Sequence, residues 1–204
     1  MSTFLEPSFT GPPVATHSYL LPFKEGNLLV DAPAEAAAFF ERIPIAGLFI
    51  THAHFDHVLD AAAIAVDKGC HVYMSRKSEE LLADTSYLRR FGIDFEVPPL
   101  RATHYLEEGE NQEILGENIS LFDVSGHCPG SLALYWPAGK VVCSGDSLFQ
   151  GVVGRWDLPG ANKEELLTNI KEKLLPLPPQ THVLPGHGAM TTIGAERELN
   201  PFLS

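Results

Sequence analysis

Between Thr51 and His57 the chain reads Thr-His-Ala-His-Phe-Asp-His, which places three imidazoles and a carboxylate within six residues. Imidazole nitrogen and carboxylate oxygen are the donors that divalent zinc, iron and manganese accept. In an extended segment, residues two apart face the same side, so His52 and His54 can present two nitrogens together. A turn into a following helix would redirect Asp56 and His57 towards a neighbouring point, so one short stretch could serve two metals. Three further segments carry the same residue types: Ser125-Gly126-His127-Cys128-Pro129-Gly130, Gly145-Asp146-Ser147 and Pro185-Gly186-His187-Gly188. Each candidate ligand stands just beyond a strand-like stretch and beside a glycine that lets backbone turn or approach closely. Seven candidate metal ligands result: His52, His54, Asp56, His57, His127, Asp146 and His187. The remaining histidines, His17, His71, His104 and His182, have no spaced carboxylate partner and read as structural or surface residues. His17 is also a candidate for the edge of the site.

The elements that must position these residues follow from periodicity and punctuation. Strands are expected over 14–21, 27–30, 47–51, 70–74, 119–124, 131–136, 141–144 and 182–184. Helices are expected over 34–42, over 58–68 with Gly69 as the stop, over 78–90, and over 163–175, where Asn162 could cap and Glu165 reach back. Strands in both the first and last thirds, with helices interposed, suggest an α+β architecture of two packed sheets with helices outside. Ligands at strand ends then converge on one sheet edge.

At 204 residues the expectation is one domain over 1–204. With 45% hydrophobic and 20% charged residues, the composition is that of a packed globular protein. Twenty-six acids against 14 Lys and Arg give a net charge of −12, which repels polyanions and argues against nucleic acid or an anionic membrane as partner. The first residues carry neither a basic start nor an apolar run of signal length. Cys70, Cys128 and Cys143 are odd in number and widely spaced, so a reducing, cytoplasmic setting is expected. The acids Glu107, Glu108 and Glu110 read as a solvated face.

In order and spacing, His52, His54, Asp56, His57, His127, Asp146 and His187 resemble the ligand pattern of the metallo-β-lactamase-fold hydrolases, within which the compact bacterial glyoxalase II-like subgroup is most similar. The stretch from Gly145 through Arg155-Trp156-Asp157-Leu158-Pro159-Gly160 and the ending Asn200-Pro201-Phe202-Leu203 carry that finer likeness. The resemblance implies a four-layer αββα sandwich with a dinuclear site at one edge. His52, His54 and His127 would hold the first metal, Asp56, His57 and His187 the second, and Asp146 would bridge them. Asp56 and Asp146 would also serve catalysis, Asp56 by orienting the nucleophile. Arg155 stands where the subgroup's relatives place a basic substrate contact, and a bond to Asp157 is the competing structural role. Longer glyoxalase II enzymes add a helical substrate domain after the last histidine ligand, whereas 17 residues follow His187. Cys128 stands where a threonine is common and outside the ligand positions.

The implied activity is hydrolysis of a small-molecule thioester or ester by a metal-bound hydroxide, with two divalent ions, zinc first and iron or manganese as alternatives. Two other reactions fit the same ligands. One is a mono-iron persulfide dioxygenase-like oxidation on His52, His127 and Asp146; the other is lactone hydrolysis. β-Lactam hydrolysis is disfavoured, because Asp146 occupies a bridging position that those enzymes generally lack.

Overall fold

The computed structural model describes residues 8–84 and 96–203. Two six-stranded sheets form its frame. The first has the order β1 (Phe9–Gly11), β2 (Thr16–Phe23), β3 (Gly26–Val30), β4 (Gly47–Phe49), β5 (His71–Met74) and β6 (His104–Tyr105). From β3 to β6 its neighbours run parallel, and β4 is apolar and buried throughout, as a strand covered on both faces must be. The second sheet has the order β14 (Thr191–Thr192), β13 (His182–Pro185), β10 (Val141–Gly145), β9 (Leu132–Trp136), β8 (Glu117–Asp123) and β7 (Gly109–Ile114). A small hairpin of β11 (Leu148–Phe149) and β12 (Val152–Val153) follows β10.

Alternation along the strands divides the interior into three apolar layers. Leu28 and Val30 of β3 and Leu132, Leu134 and Trp136 of β9 point between the sheets, where Tyr19, Phe49, Leu121, Val141 and Leu184 join them. The intervening Leu29 faces the helices α1 (Ala36–Phe39), α2 (Ala61–Lys68) and α3 (Arg76–Leu82), packing with Ala36, Ile64 and Leu82. On the other side, Ala133 and Val142 face α4 (Lys163–Asn169) and α5 (Ile193–Leu199), packing with Leu166 and Ile193. Helix, sheet, sheet, helix is the αββα sandwich expected, and it brings the exits of β4, β8, β10 and β13 to one edge.

Several elements depart from the sequence reading in ways that serve that edge. The expected helix 34–42 is a single turn, entered through Glu35 at φ 72°. The expected helix 58–68 begins only at Ala61, because a 3-10 turn at Phe55–His57 comes first and the Asp60 N–H donates to the Ala32 carbonyl at 3.0 Å. That interruption aims Asp56 and His57 inward. The helix expected over 78–90 runs over Arg76–Leu82, capped by Ser75 Oγ, and positions 85–90 lie outside the described residues. Helix α4 is capped by Asn162 as expected and passes into a π-helical turn at Ile170–Leu174. Strands β1, β6, β7, β14 and the hairpin carried too little pattern to be read from sequence, being two to six residues long and partly exposed. All three cysteines are free and buried. Among the described residues no helix is long and apolar enough to cross a membrane.

Leu134 is fully buried between the sheets, so Leu134→Ala leaves a cavity where both sheets meet. The substitution is expected to cost about 3 kcal/mol, read as a lowered denaturation midpoint. A loss below about 1 kcal/mol would contradict a tightly packed intersheet core.

Candidate metal centre

Four loops, each leaving the end of a strand, build the site. The loop after β4 supplies His52 and His54, and its 3-10 turn supplies Asp56 and His57. Loops after β8, β10 and β13 supply His127, Asp146 and His187. Their ligand atoms gather into overlapping groups, each within 4.8 Å: His52 with His54 and His127; Asp56 with His57 and His187; and His52 with His57 and Asp146. His54 Nδ1 lies 3.2 Å from His52 Nε2 and 2.9 Å from His127 Nε2. Asp146 spans the two triads. Its Oδ1 is 3.4 Å from His57 Nε2, while its Oδ2 is 3.5 Å from His127 Nε2 and 3.3 Å from His187 Nε2.

Outer contacts decide which nitrogen faces inward. His127 Nδ1 donates to the Arg155 carbonyl at 2.8 Å, which fixes the proton there and leaves Nε2 with its lone pair. Thr51 Oγ1 donates to Asp31 Oδ2 at 2.7 Å and so accepts from His52 Nδ1 at 3.0 Å, turning the lone pair of His52 Nε2 inward. His57 Nδ1 donates to Asp31 Oδ2 at 2.7 Å. Thr16 Oγ1 donates to Asp56 Oδ2 at 2.6 Å. Holding metal-binding histidines by their second nitrogen is how proteins orient such ligands.

Two buried side-chain atoms among the described residues have no hydrogen-bond partner, His57 Nε2 and Asp146 Oδ1, and they face each other across the middle of the cluster. At 3.4 Å the two groups attract without making a hydrogen bond, and a cation held by both would satisfy each of them. Inward lone pairs, orphaned donors and a His/Asp set together fit two divalent ions.

Electrostatics at the site are those of carboxylates buried among imidazoles. Burial lowers the pKa of His54 to about 3, with the neighbouring His127 adding to the effect, and burial likewise holds His52 and His127 below the usual imidazole value. Burial opposes the charge on Asp56, but His57 and the bonds from His187 and Thr16 prevail and set it at about 2. Asp146 is also held well below the usual carboxylate range, burial being outweighed by His57 and His187. Against the same burial, Asp56, Asp146 and Asp31 raise His57 well above 6.5, and Asp146 and Asp56 raise His187 to about 10. In the metal-free chain, protons on His57 and His187 therefore balance the carboxylates.

All seven residues singled out as ligands meet here. Arg155 lies at the mouth of the cleft, where Nε and one terminal nitrogen donate to Asp157 at 2.8 Å each; its carbonyl, rather than its side chain, touches the cluster through His127. Trp156 packs on Phe202 and under Lys163 rather than walling the cleft. Cys128 lines the cleft beside the cluster, and burial raises its thiol to about 11. His104 stacks on Tyr73 and meets His71 edge-on, and neither histidine belongs to the convergent ligand groups. Sequence reasoning missed Asp31 and Thr16. Asp31 accepts from the Thr51 N–H, the Thr51 hydroxyl and His57, and its place directly after strand β3 is the same signal that marked the ligands. Glycine matters sterically at Gly186, where a Cβ would sit 2.1 Å from Asp146 Oδ1 and 2.6 Å from His57 Cε1.

A two-sheet sandwich carrying at its edge two ligand triads spanned by an aspartate defines a metallohydrolase fold class. The family model for the metallo-beta-lactamase superfamily matches residues 11–187, and the chain belongs to that superfamily. It is 37% identical over 199 residues to the probable metallo-hydrolase YqgX of Bacillus subtilis, covering 94% of each chain. It is 33% identical over 183 residues to the hydroxyacylglutathione hydrolase GloC of Haemophilus influenzae, covering 86% of each. Among solved structures, TTHA1623 in a di-iron-bound form matches with a TM-score of 0.86 at 38% identity, over 97% of this chain and 100% of that one. The BLEG-1 B3 metallo-beta-lactamase matches with a TM-score of 0.86 at 34% identity, over 95% and 96%.

Two outcomes test the centre. Gly186→Ala should displace Asp146 and His57 and lower metal content while the chain stays folded, as read by elemental analysis; unchanged content would refute the close approach. Ligation needs the lone pairs of His57 and His187, so metal uptake near pH 7.5 should release about two protons and strengthen as pH rises. Calorimetry in buffers of different ionisation enthalpy measures that release, and uptake without it would contradict the protonated resting state.

Proposed function

We propose that this chain is a dinuclear metal-dependent hydrolase of small-molecule thioesters, with zinc as the resident metal. The observation that carries the reading is the double triad spanned by Asp146, in a chain 33% identical to a hydroxyacylglutathione hydrolase. His52, His54 and His127 would hold one ion, Asp56, His57 and His187 the other, and Asp146 both. Zinc supplies Lewis acidity there, polarising a carbonyl and making water acidic enough to yield a nucleophile at neutral pH.

The chain's own residues supply the rest. Asp56 lines the cleft with one oxygen committed to Thr16, which fixes its carboxylate plane for orienting water beside a bound carbonyl. A cleft of about 1270 Å³ opens above the cluster, walled by Pro13, Val14, Phe55, Leu81, Phe149 and Leu158, so an acyl chain has an apolar bed. Arg155 at its mouth is the candidate contact for a substrate carboxylate, in exchange with Asp157. Exposed on both sides, that pair holds weakly enough to be exchanged.

Iron is the alternative metal, favoured by the di-iron form of the similar TTHA1623. The likeness to the ETHE1 of Myxococcus xanthus, at 22% identity, is one of fold alone.

The test is a screen with protein of defined metal content against S-D-lactoylglutathione, simpler thioesters, lactones and a β-lactam, with oxygen uptake on a persulfide beside it. Thioester turnover by the two-zinc form is expected. His54→Ala or Asp146→Ala should lower it by more than about 100-fold together with metal content, beyond the usual effect of an outer contact. Full turnover by a metal-free variant, or oxygen uptake without hydrolysis, would overturn the reading.

A further inference from the structure

The first half of β2 lies against the second triad, and each of its side chains grips part of that triad's support. Thr16 Oγ1 donates to Asp56, Ser18 Oγ donates to the Asp31 carbonyl at 2.8 Å, and the Tyr19 hydroxyl donates to the Pro185 carbonyl at 2.8 Å. His17 holds the loop carrying His187 from both sides. Its backbone N–H donates to the Gly186 carbonyl at 2.8 Å, and its ring Nε2 donates to the Gly188 carbonyl at 2.8 Å. Because a carbonyl can only accept, the ring proton sits on Nε2, and Nδ1 accepts from the Thr10 hydroxyl at 2.9 Å. His17 is 8% exposed and belongs to none of the convergent ligand groups.

The three ligands of this triad are not held equally. His57 has Asp31 at 2.7 Å and Asp56 has Thr16 at 2.6 Å, whereas the outer nitrogen of His187 has only the Ala15 carbonyl at 3.4 Å. The next residues, Gly188 and Ala189, are exposed. Direct orientation of the ring is thus weakest at His187, and the backbone clamp from His17 stands in for it. The supports of the other triad do not involve His17: they are Thr51 for His52, which shares Asp31 with His57, and the Arg155 carbonyl for His127.

We propose that His17 is the positioning residue for His187, and that through it β2 determines whether the second metal position fills, independently of the first. This rests on the two-metal reading above.

Cobalt(II) titration of the full chain, followed by visible absorption and elemental analysis, tests it without reference to turnover. Wild type should take two equivalents. His17→Ala should keep the first, with its spectrum intact, and bind the second about 10- to 100-fold more weakly. His17→Gln, whose amide N–H can reach the Gly188 carbonyl, should recover most of that loss. Thr10→Val, which removes only the brace on the far ring nitrogen, should weaken the second site about 5-fold, and it decides the matter if His17→Ala does not fold. Wild-type second-site affinity in His17→Ala, or in Thr10→Val where the alanine variant does not fold, overturns the proposal, as does loss of both sites in step or failure of His17→Gln to recover. Uptake of fewer than two equivalents by wild type overturns the two-metal reading itself, and the proposal with it.

Discussion

Burying carboxylates is the constraint from which the rest of this structure follows. An ionised carboxylate out of water is tolerated only with donors or cations around it, and three stand together here in Asp31, Asp56 and Asp146. Asp31 meets the requirement locally through Thr51 and His57. Asp56 does so through Thr16 and its neighbouring imidazoles. Asp146 leaves one oxygen facing a nitrogen that has no partner of its own. Protons can fill that gap, and so can metal ions. The arrangement makes the two competitors for the same lone pairs.

Fold and site are linked through the places where regular structure stops. The parallel β3, β4 and β5 give an apolar bed rigid enough that Asp31 and Thr51 leave it in register, their side chains meeting across adjacent strand ends. The helix after β4 starts late, and that delay turns Asp56 and His57 inward. On the second sheet, α4 packs so tightly on the His127 loop that a Cβ at Gly126, held at φ +128°, would fall 2.3 Å from the Leu166 nitrogen.

Much of this was legible beforehand. The spacing of His52, His54, Asp56 and His57 carried the ligand pattern, because metal coordination constrains residue type and interval more tightly than packing does. The long strands β2, β3, β8, β9 and β10 were readable from apolar runs and alternation. Short strands such as β6 and β14 were not, since pairing with a neighbour rather than local pattern defines them. Asp31 was overlooked because a single aspartate after a strand also suits a turn, and only the fold shows it beneath His57. Arg155 illustrates the converse: the bond to Asp157 named as its competing role is present, while the service of its carbonyl to His127 is backbone chemistry that residue type cannot signal.

The provenance of the ligands carries a mechanical consequence. His52, His54, Asp56 and His57 hang from the first sheet, whereas His127, Asp146 and His187 hang from the second. Ions gathered by both sets would work as a clasp on the open edge of the sandwich, joining two halves that otherwise meet across an apolar layer and through a few hydrogen bonds such as that from Tyr19 to Pro185. Scarcity of metal would then be felt as a parting of the layers at one end before it was felt in the core, and the abundance of metal in the surroundings would tune how long the folded chain endures.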